Sequence, residues 1–184
     1  MKLNLGCGED IKQGYLNVDF RKTHPLVFEC DLSKFPWPWK TNSVETVMML
    51  DFLEHFKMSM TDVLMSEVTR ILAPNGEVII QVPDMDILSS AVLCLPAVPC
   101  NVCGSHFGSE DDCAGGCLQT RSGLAKAAFG RMYGGQDYNG NYHMAGFNHL
   151  TIVELLKKHG FRGFSFVEKE HQFKNWNLKV KASL

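Results

Sequence analysis

Apolar positions along this chain fall into short continuous runs and longer helical stripes. Residues 3–5, 15–20 and 26–29 are short apolar-rich runs bounded by turn residues, and each predicts a strand. Residues 44–50 are nearly all apolar, which predicts a parallel strand buried on both faces. Over 60–72 the period becomes helical. Val63, Leu64, Val68, Ile71 and Leu72 share one face, and Ser59-x-x-Asp62 is placed to cap the start. Pro74-Asn75-Gly76 predicts a turn, and 77–82 a fifth strand ended by Pro83-Asp84. Residues 33–42 carry Pro36-Trp37-Pro38-Trp39, cannot be a helix interior, and predict a rigid surface loop.

The last third is again regular. Thr151-x-x-Glu154 reads as a capping box, Leu150 and Leu155 as its hydrophobic staple, and Gly160 as the helix end. Residues 161–168 and 178–182 predict two strands forming an antiparallel hairpin at the sheet edge. Residues 86–148 fit no layer of the sheet and read as an inserted region. The fold class is therefore α/β: a single domain over 1–184 with a seven-stranded, mostly parallel sheet. Residues 7–14 and 21–25 are the only links between the first three strands. A parallel crossover normally takes about a dozen residues or more, so the helices there are expected to shrink to about one turn. The sheet face left thinly covered is expected to meet the insert or a second subunit.

Composition narrows the class. The chain has 184 residues with 45% hydrophobic and 21% charged positions, which suits one soluble domain. A net charge of −2 supplies no general field for nucleic acid. No apolar stretch is long enough for a membrane span, and the N-terminus lacks a signal-peptide pattern. Seven cysteines without such a signal point to a reducing, cytoplasmic setting and to thiols or a metal site before disulfides.

The candidate chemistry begins at the first strand, which runs into Gly6-Cys7-Gly8. Glycines there let a ligand lie against the backbone. Asp19 ends the next apolar run and is placed to accept from a ribose diol. The third glycine of the dinucleotide pattern is missing, and Glu9 and Asp10 would repel a pyrophosphate. A Walker lysine is absent too. The expected ligand is a nucleoside without phosphates and with a cationic or zwitterionic tail, a description that S-adenosylmethionine fits.

The segments Leu3-Asn-Leu-Gly-Cys-Gly8, Gly14-Tyr-Leu-Asn-Val-Asp19, Cys30-Asp-Leu32, Leu53-Glu-His55, Glu67-Val-Thr-Arg-Ile-Leu-Ala-Pro-Asn-Gly76 and Val82-Pro-Asp84 resemble, in order and spacing, the motifs of class I S-adenosylmethionine-dependent methyltransferases, in particular the small type 11 group. The resemblance covers residues 2–84 and, more loosely, 150–184. It implies a Rossmann-like fold with Gly6, Cys7 and Gly8 along the methionine part of the cofactor. Asp19 would hold the ribose and Phe20 would flank the adenine. Asp31 would accept from the adenine amino group with Leu32 nearby, and Leu50 and Asp51 would approach from the other side. Asn75-Gly76 stands where the group usually has two glycines.

His55 is the candidate general base, with the alternative that Glu54 and His55 only orient the following helix. His143 and His149 could reach the mouth of the site from the insert, and Tyr133, Tyr138 and Tyr142 could stack on an acceptor or pack a lid. Cys100, Cys103, Cys113 and Cys117 form two close pairs over 100–117, the pattern of a small structural zinc knuckle. His106 could replace one thiolate, and four free cysteines in a loop are the alternative. Cys7, Cys30 and Cys94 read as isolated core or strand-end residues. Two functions stand side by side: a methyltransferase of unidentified acceptor, or a non-catalytic cofactor-binding or zinc-knuckle module for nucleic acid or protein on the same scaffold.

Overall fold

The computed structural model describes residues 1–93, 121–138, 140–166 and 176–184. The strands are β1 (Lys2–Leu5), β2 (Leu16–Asp19), β3 (Val27–Glu29), β4 (Val44–Leu50), β5 (Leu72–Pro83), β6 (Arg162–Phe166) and β7 (Asn177–Ser183). They form one seven-stranded sheet in the order β3-β2-β1-β4-β5-β7-β6. The first five strands are parallel, and β7 is antiparallel to both β5 and β6. The order reverses between β1 and β4, so the carboxyl ends of these two strands flank the crevice where open α/β sheets bind ligands.

The helices are α1 (Met58–Ile71), α2 (Met85–Val92), α3 (Arg121–Tyr133) and α4 (His149–Lys158), with a single 3₁₀ turn at Leu53–His55. Strands β1, β4 and β5 bury Leu3, Leu5, Val47, Met49, Val78 and Ile80 completely, and α1 and α4 add Leu64, Val68, Ile152 and Leu156 to the same core. A second small cluster joins Leu88 and Ala91 of α2 to Ala128 of α3 and to Trp176.

No helix follows β1 or β2, as the short links require. The covering layer is polar. Asn4 and Asn17, opposite each other in the β1–β2 register, are buried and joined by a 2.9 Å hydrogen bond. Asn4 also donates to the Asp10 carbonyl, and Asn17 accepts from the Lys12 N–H and donates to the Lys12 and Tyr15 carbonyls. Two amide side chains thus satisfy the backbone of a loop that replaces a helix.

Several expectations need correction. Helix α1 starts after Lys57 with no side-chain cap, so Ser59 lies inside it, and Val63 faces solvent. The Pro-Trp loop is not a surface feature: Trp37 and Trp39 are buried. Glu67 accepts from the Trp37 N–H, and Arg70 donates to the Trp37 and Trp39 carbonyls and to Glu67, so α1 clasps the loop onto the core. The cap of α4 is Asn148, which exchanges hydrogen bonds with Thr151. Asn is a better cap than a threonine already one turn into the helix. Phe147 and Ile152 then take the staple positions, both buried, while Leu150 is exposed. The turn at Pro74-Asn75-Gly76 is a bulge within β5, where the register against β4 shifts and Asn75 takes φ +63°.

Candidate active site at the switch point

A cleft of about 1210 Å³ opens at the carboxyl ends of β1–β4. Gly6 and Gly8, with φ of +66° and +52°, turn the chain out of β1. They differ in what a side chain would meet. A Cβ on Gly6 would overlap the Phe52 ring, whereas one on Gly8 would meet nothing within 4 Å. Gly6 therefore makes room for an aromatic ring, and Gly8 leaves bare backbone facing the cleft.

Asp19 fixes that turn. Its carboxylate accepts from the Gly8 N–H and the Arg21 N–H, each at 2.9 Å. It is only 5% exposed, yet it lines the cleft. A carboxylate has about four acceptor sites, so two backbone donors leave capacity for a diol. Phe20 follows, half exposed, and the Arg21 guanidinium lies over the Phe20 ring at 5.4 Å and the Tyr138 ring at 3.8 Å. After β3, Asp31 caps a turn through the Ser33 N–H and hydroxyl. The Ser33 hydrogen bonds, with Lys34 adding charge, hold its carboxyl below the ordinary aspartate value.

On the other side of the switch point, Asp51 has φ +51° and accepts from Gln81 at 3.2 Å and Asn177 at 3.1 Å. Phe52 and Phe56 meet edge to face at 5.0 Å. Glu54 is buried, and its carboxyl is pushed up to about 8, mainly by burial and then by the Asp51 charge. His55 lines the cleft, and its Nδ1 lies 3.1 Å from the Tyr142 carbonyl.

The far wall comes from Ala127, Gly130 and Arg131 of α3 and from the segment after it, including Tyr138, Asn141, His143 and Met144. That segment is tied down by the Met144 and Ala145 N–H groups, which donate to the Glu54 carbonyl, and by Phe147, whose carbonyl accepts from the Met85 N–H. His143 Nδ1 lies 2.7 Å from the Arg131 carbonyl, and its ring meets that of His55 at 4.9 Å. Burial, and then the His55 charge, push the His143 imidazole below its ordinary value.

Of the residues singled out in the sequence, Gly6, Gly8, Asp19, Phe20, Asp31, Leu32, Asp51 and His55 line this one cleft. Cys7 and Leu50 do not line it. Cys7 is buried, with its thiol pushed up to about 11 by burial and the neighbouring Asp19 charge, and Leu50 is half-buried at the end of β4. Tyr138 and His143 reach the cleft, while His149 stacks on Phe166 and Tyr133 on Phe129. Cys94, Cys100, Cys103, His106, Cys113 and Cys117 lie outside the described residues. Sequence reasoning missed Phe52, Arg21 and the environment of Glu54. The available signal was a Glu-His pair directly after a buried strand, with a further histidine in a Gly- and Asn-rich segment.

No family model matches the sequence, and no curated protein is significantly similar to it. Solved structures are similar in fold. A SAM dependent methyltransferase from Archaeoglobus fulgidus superposes with a TM-score of 0.57 at 11% identity, over 100% of this chain and 85% of that one. The 1,6-didemethyltoxoflavin-N1-methyltransferase of Burkholderia thailandensis, solved with bound 1,6-didemethyltoxoflavin and S-adenosylhomocysteine, gives 0.55 at 13% identity, over 99% of this chain and 69% of that one. A possible histamine N-methyltransferase from Thermotoga maritima gives 0.55 at 11% identity, over 100% and 81%. The chain has the Rossmann-like fold of these enzymes. Among the described residues no helix is long and apolar enough to cross a membrane.

Proposed function

We propose that the protein is an S-adenosylmethionine-dependent methyltransferase of the small type 11-like group, acting on an unidentified acceptor. The observation that carries this reading is the Asp19 carboxylate tied to Gly8 at the switch point, with bare backbone beside it. The donor set fits the cofactor: an acceptor carboxylate for the ribose at Asp19, an aromatic face at Phe20, a second carboxylate at Asp31 beside Leu32, and side-chain-free backbone at Gly6 and Gly8. Asp51 lines the same cleft from the other side of the switch point, whereas Cys7 and Leu50, which the motif resemblance also implies, stay outside it. When bound, that cofactor supplies a methyl group already activated on a sulfonium.

The protein's own work is mostly positioning, because bringing acceptor and donor into line supplies much of the rate. A pocket for one ligand is typically about 300–1,000 Å³. The 1210 Å³ cleft therefore has room for an acceptor beside the cofactor, against the wall formed by Arg131, Tyr138, Asn141 and His143. Phe52 and Phe56 supply apolar surface that excludes water near Gly6. In its neutral form His55 keeps the Nδ1 proton toward the Tyr142 carbonyl, which leaves Nε2 with the lone pair needed to take a proton from an acceptor.

Calorimetric titration with S-adenosylmethionine and S-adenosylhomocysteine tests the reading. Micromolar binding, weakened about tenfold or more in Asp31→Ala, is expected. Asp31 is exposed outside the core, so the variant should stay folded. Absence of binding by folded wild type would refute the proposal.

A further inference from the structure

Glu54 is 1% exposed, and neither of its carboxylate oxygens has a hydrogen-bond partner among the described residues. Native structures rarely leave a buried polar group in that condition, so it points to a ligand that the described residues do not supply. His55 and His143 stand beside it, and one ligating atom from each of the three residues lies within 4.8 Å of the others.

The two imidazoles are arranged alike. Each directs Nδ1 at a backbone carbonyl: His55 at Tyr142, 3.1 Å, and His143 at Arg131, 2.7 Å. A carbonyl oxygen only accepts, so in the neutral ring Nδ1 carries the proton and Nε2 keeps its lone pair. Metal-binding histidines are oriented by this same kind of contact. The backbone is braced as well. The Glu54 carbonyl accepts from Met144 and Ala145, and the His143 N–H donates to the Tyr133 carbonyl. Two segments far apart in sequence are thereby held against each other at the three side chains.

We propose that Glu54, His55 and His143 form a binding site for a divalent first-row transition cation such as Mn²⁺, Fe²⁺ or Zn²⁺. Two imidazoles and one carboxylate suit that class better than Mg²⁺ or Ca²⁺, which prefer all-oxygen sets. Metal–ligand bonds of about 2.0–2.2 Å require the three ligand atoms, which lie within 4.8 Å of one another, to surround one ion. Asp51 faces the site, but its carboxylate is engaged by Gln81 and Asn177. Arg131, the nearby cation, donates to Asn177. Three protein ligands leave coordination positions open. Because His55 and His143 line the cleft, those positions face a molecule bound there, whose oxygen would complete the shell. A cation takes the lone pairs that a general base would need, so His55 then acts as a ligand. None of the three residues is a cysteine, and metal binding can be read without cofactor or acceptor. Its failure and the failure of the methyltransferase reading are thus distinct results.

The test is titration of chelator-stripped protein with Mn²⁺, followed by paramagnetic resonance and calorimetry, and with Co²⁺, followed by visible absorption. Expected are about one Mn²⁺ per chain and binding about tenfold or more weaker in Glu54→Gln and His143→Ala. Excess Mn²⁺ should remove the part of the wild-type Co²⁺ absorption that has no thiolate charge-transfer character, and this readout needs no variant to fold. Far-UV circular dichroism checks the variants. The proposal is overturned if wild type binds no Mn²⁺, if folded Glu54→Gln and His143→Ala bind Mn²⁺ as wild type does, or if excess Mn²⁺ leaves the Co²⁺ absorption unchanged.

Discussion

The Gly8 N–H donates to the Asp19 carboxylate at 2.9 Å, so the turn leaving β1 is held by the last residue of β2. One carboxylate thus both builds the turn and lines the cleft. Asp19→Ala should abolish S-adenosylhomocysteine binding and also destabilise the fold. Two backbone donors lose their acceptor, a cost of about 1–3 kcal/mol, or a melting temperature lower by roughly 3–10 °C. Calorimetric titration and thermal unfolding of the same variant read the two effects separately.

Gly6 and Phe52 are coupled by space. Gly6→Ala should cost about 2–3 kcal/mol, because φ +66° disfavours any Cβ and the new methyl meets the Phe52 ring. In Gly6→Ala/Phe52→Ala the steric part disappears while the backbone part remains. The double variant should therefore be more stable than the sum of the single changes predicts, by about 1 kcal/mol. Denaturant unfolding of the four proteins measures this coupling, and strict additivity would count against the contact.

The Glu67–Arg70 pair predicts a pH dependence. The Arg70 hydrogen bonds, helped by the Trp37 N–H, hold the Glu67 carboxyl below its ordinary value of 4.5. A lowered folded-state value means that the stabilisation is fully present above the unfolded value and is lost as pH falls through the folded one. Wild-type melting temperature should fall below about pH 5. Glu67→Gln should be less stable at neutral pH by about 2 kcal/mol and show a flatter acid limb. A pair of melting curves across that range decides it.

Arg21 lies 3.8 Å from the centroid of the Tyr138 ring, joining the rim of β2 to the far wall. Such contacts are worth about 0.5–2 kcal/mol. Tyr138→Ala should leave global unfolding nearly unchanged and speed amide exchange locally, above all at the Asn141 N–H, which donates to the Tyr138 carbonyl. Hydrogen exchange read by mass spectrometry would show whether the change is confined to that wall.

The parallel half of the sheet was legible because its signal is local. Runs such as Val44–Leu50 allow little but a buried strand, and the order Gly6-Cys7-Gly8, Asp19, Asp31 follows the strand ends. The polar contributions were not legible. Asn4 and Asn17 look like ordinary polar strand positions, and only the loop they bind explains their burial. Trp37 and Trp39 each follow a proline, as in many exposed loops, but Glu67 and Arg70, about thirty residues on, pull them into the core. The cap of α4 was misread by one turn because Thr151 is a fair cap by type, and the better acceptor, Asn148, follows an apolar residue that turned out to be the staple. The far wall depends on contacts such as Met144 with Glu54, which no periodicity encodes.

Strand β7 lies between β5 and β6 and is the last strand in sequence. Proteins are synthesised from the N-terminus onward, so the edge of β5 stays without its β7 partner, and β6 has no strand partner among the described residues, until residues 177–183 leave the ribosome. An open edge is a template for wrong pairing. The nascent chain therefore carries an unmet pairing surface through the synthesis of everything from α2 to β6, and β7 satisfies β5 and β6 together when it enters between them.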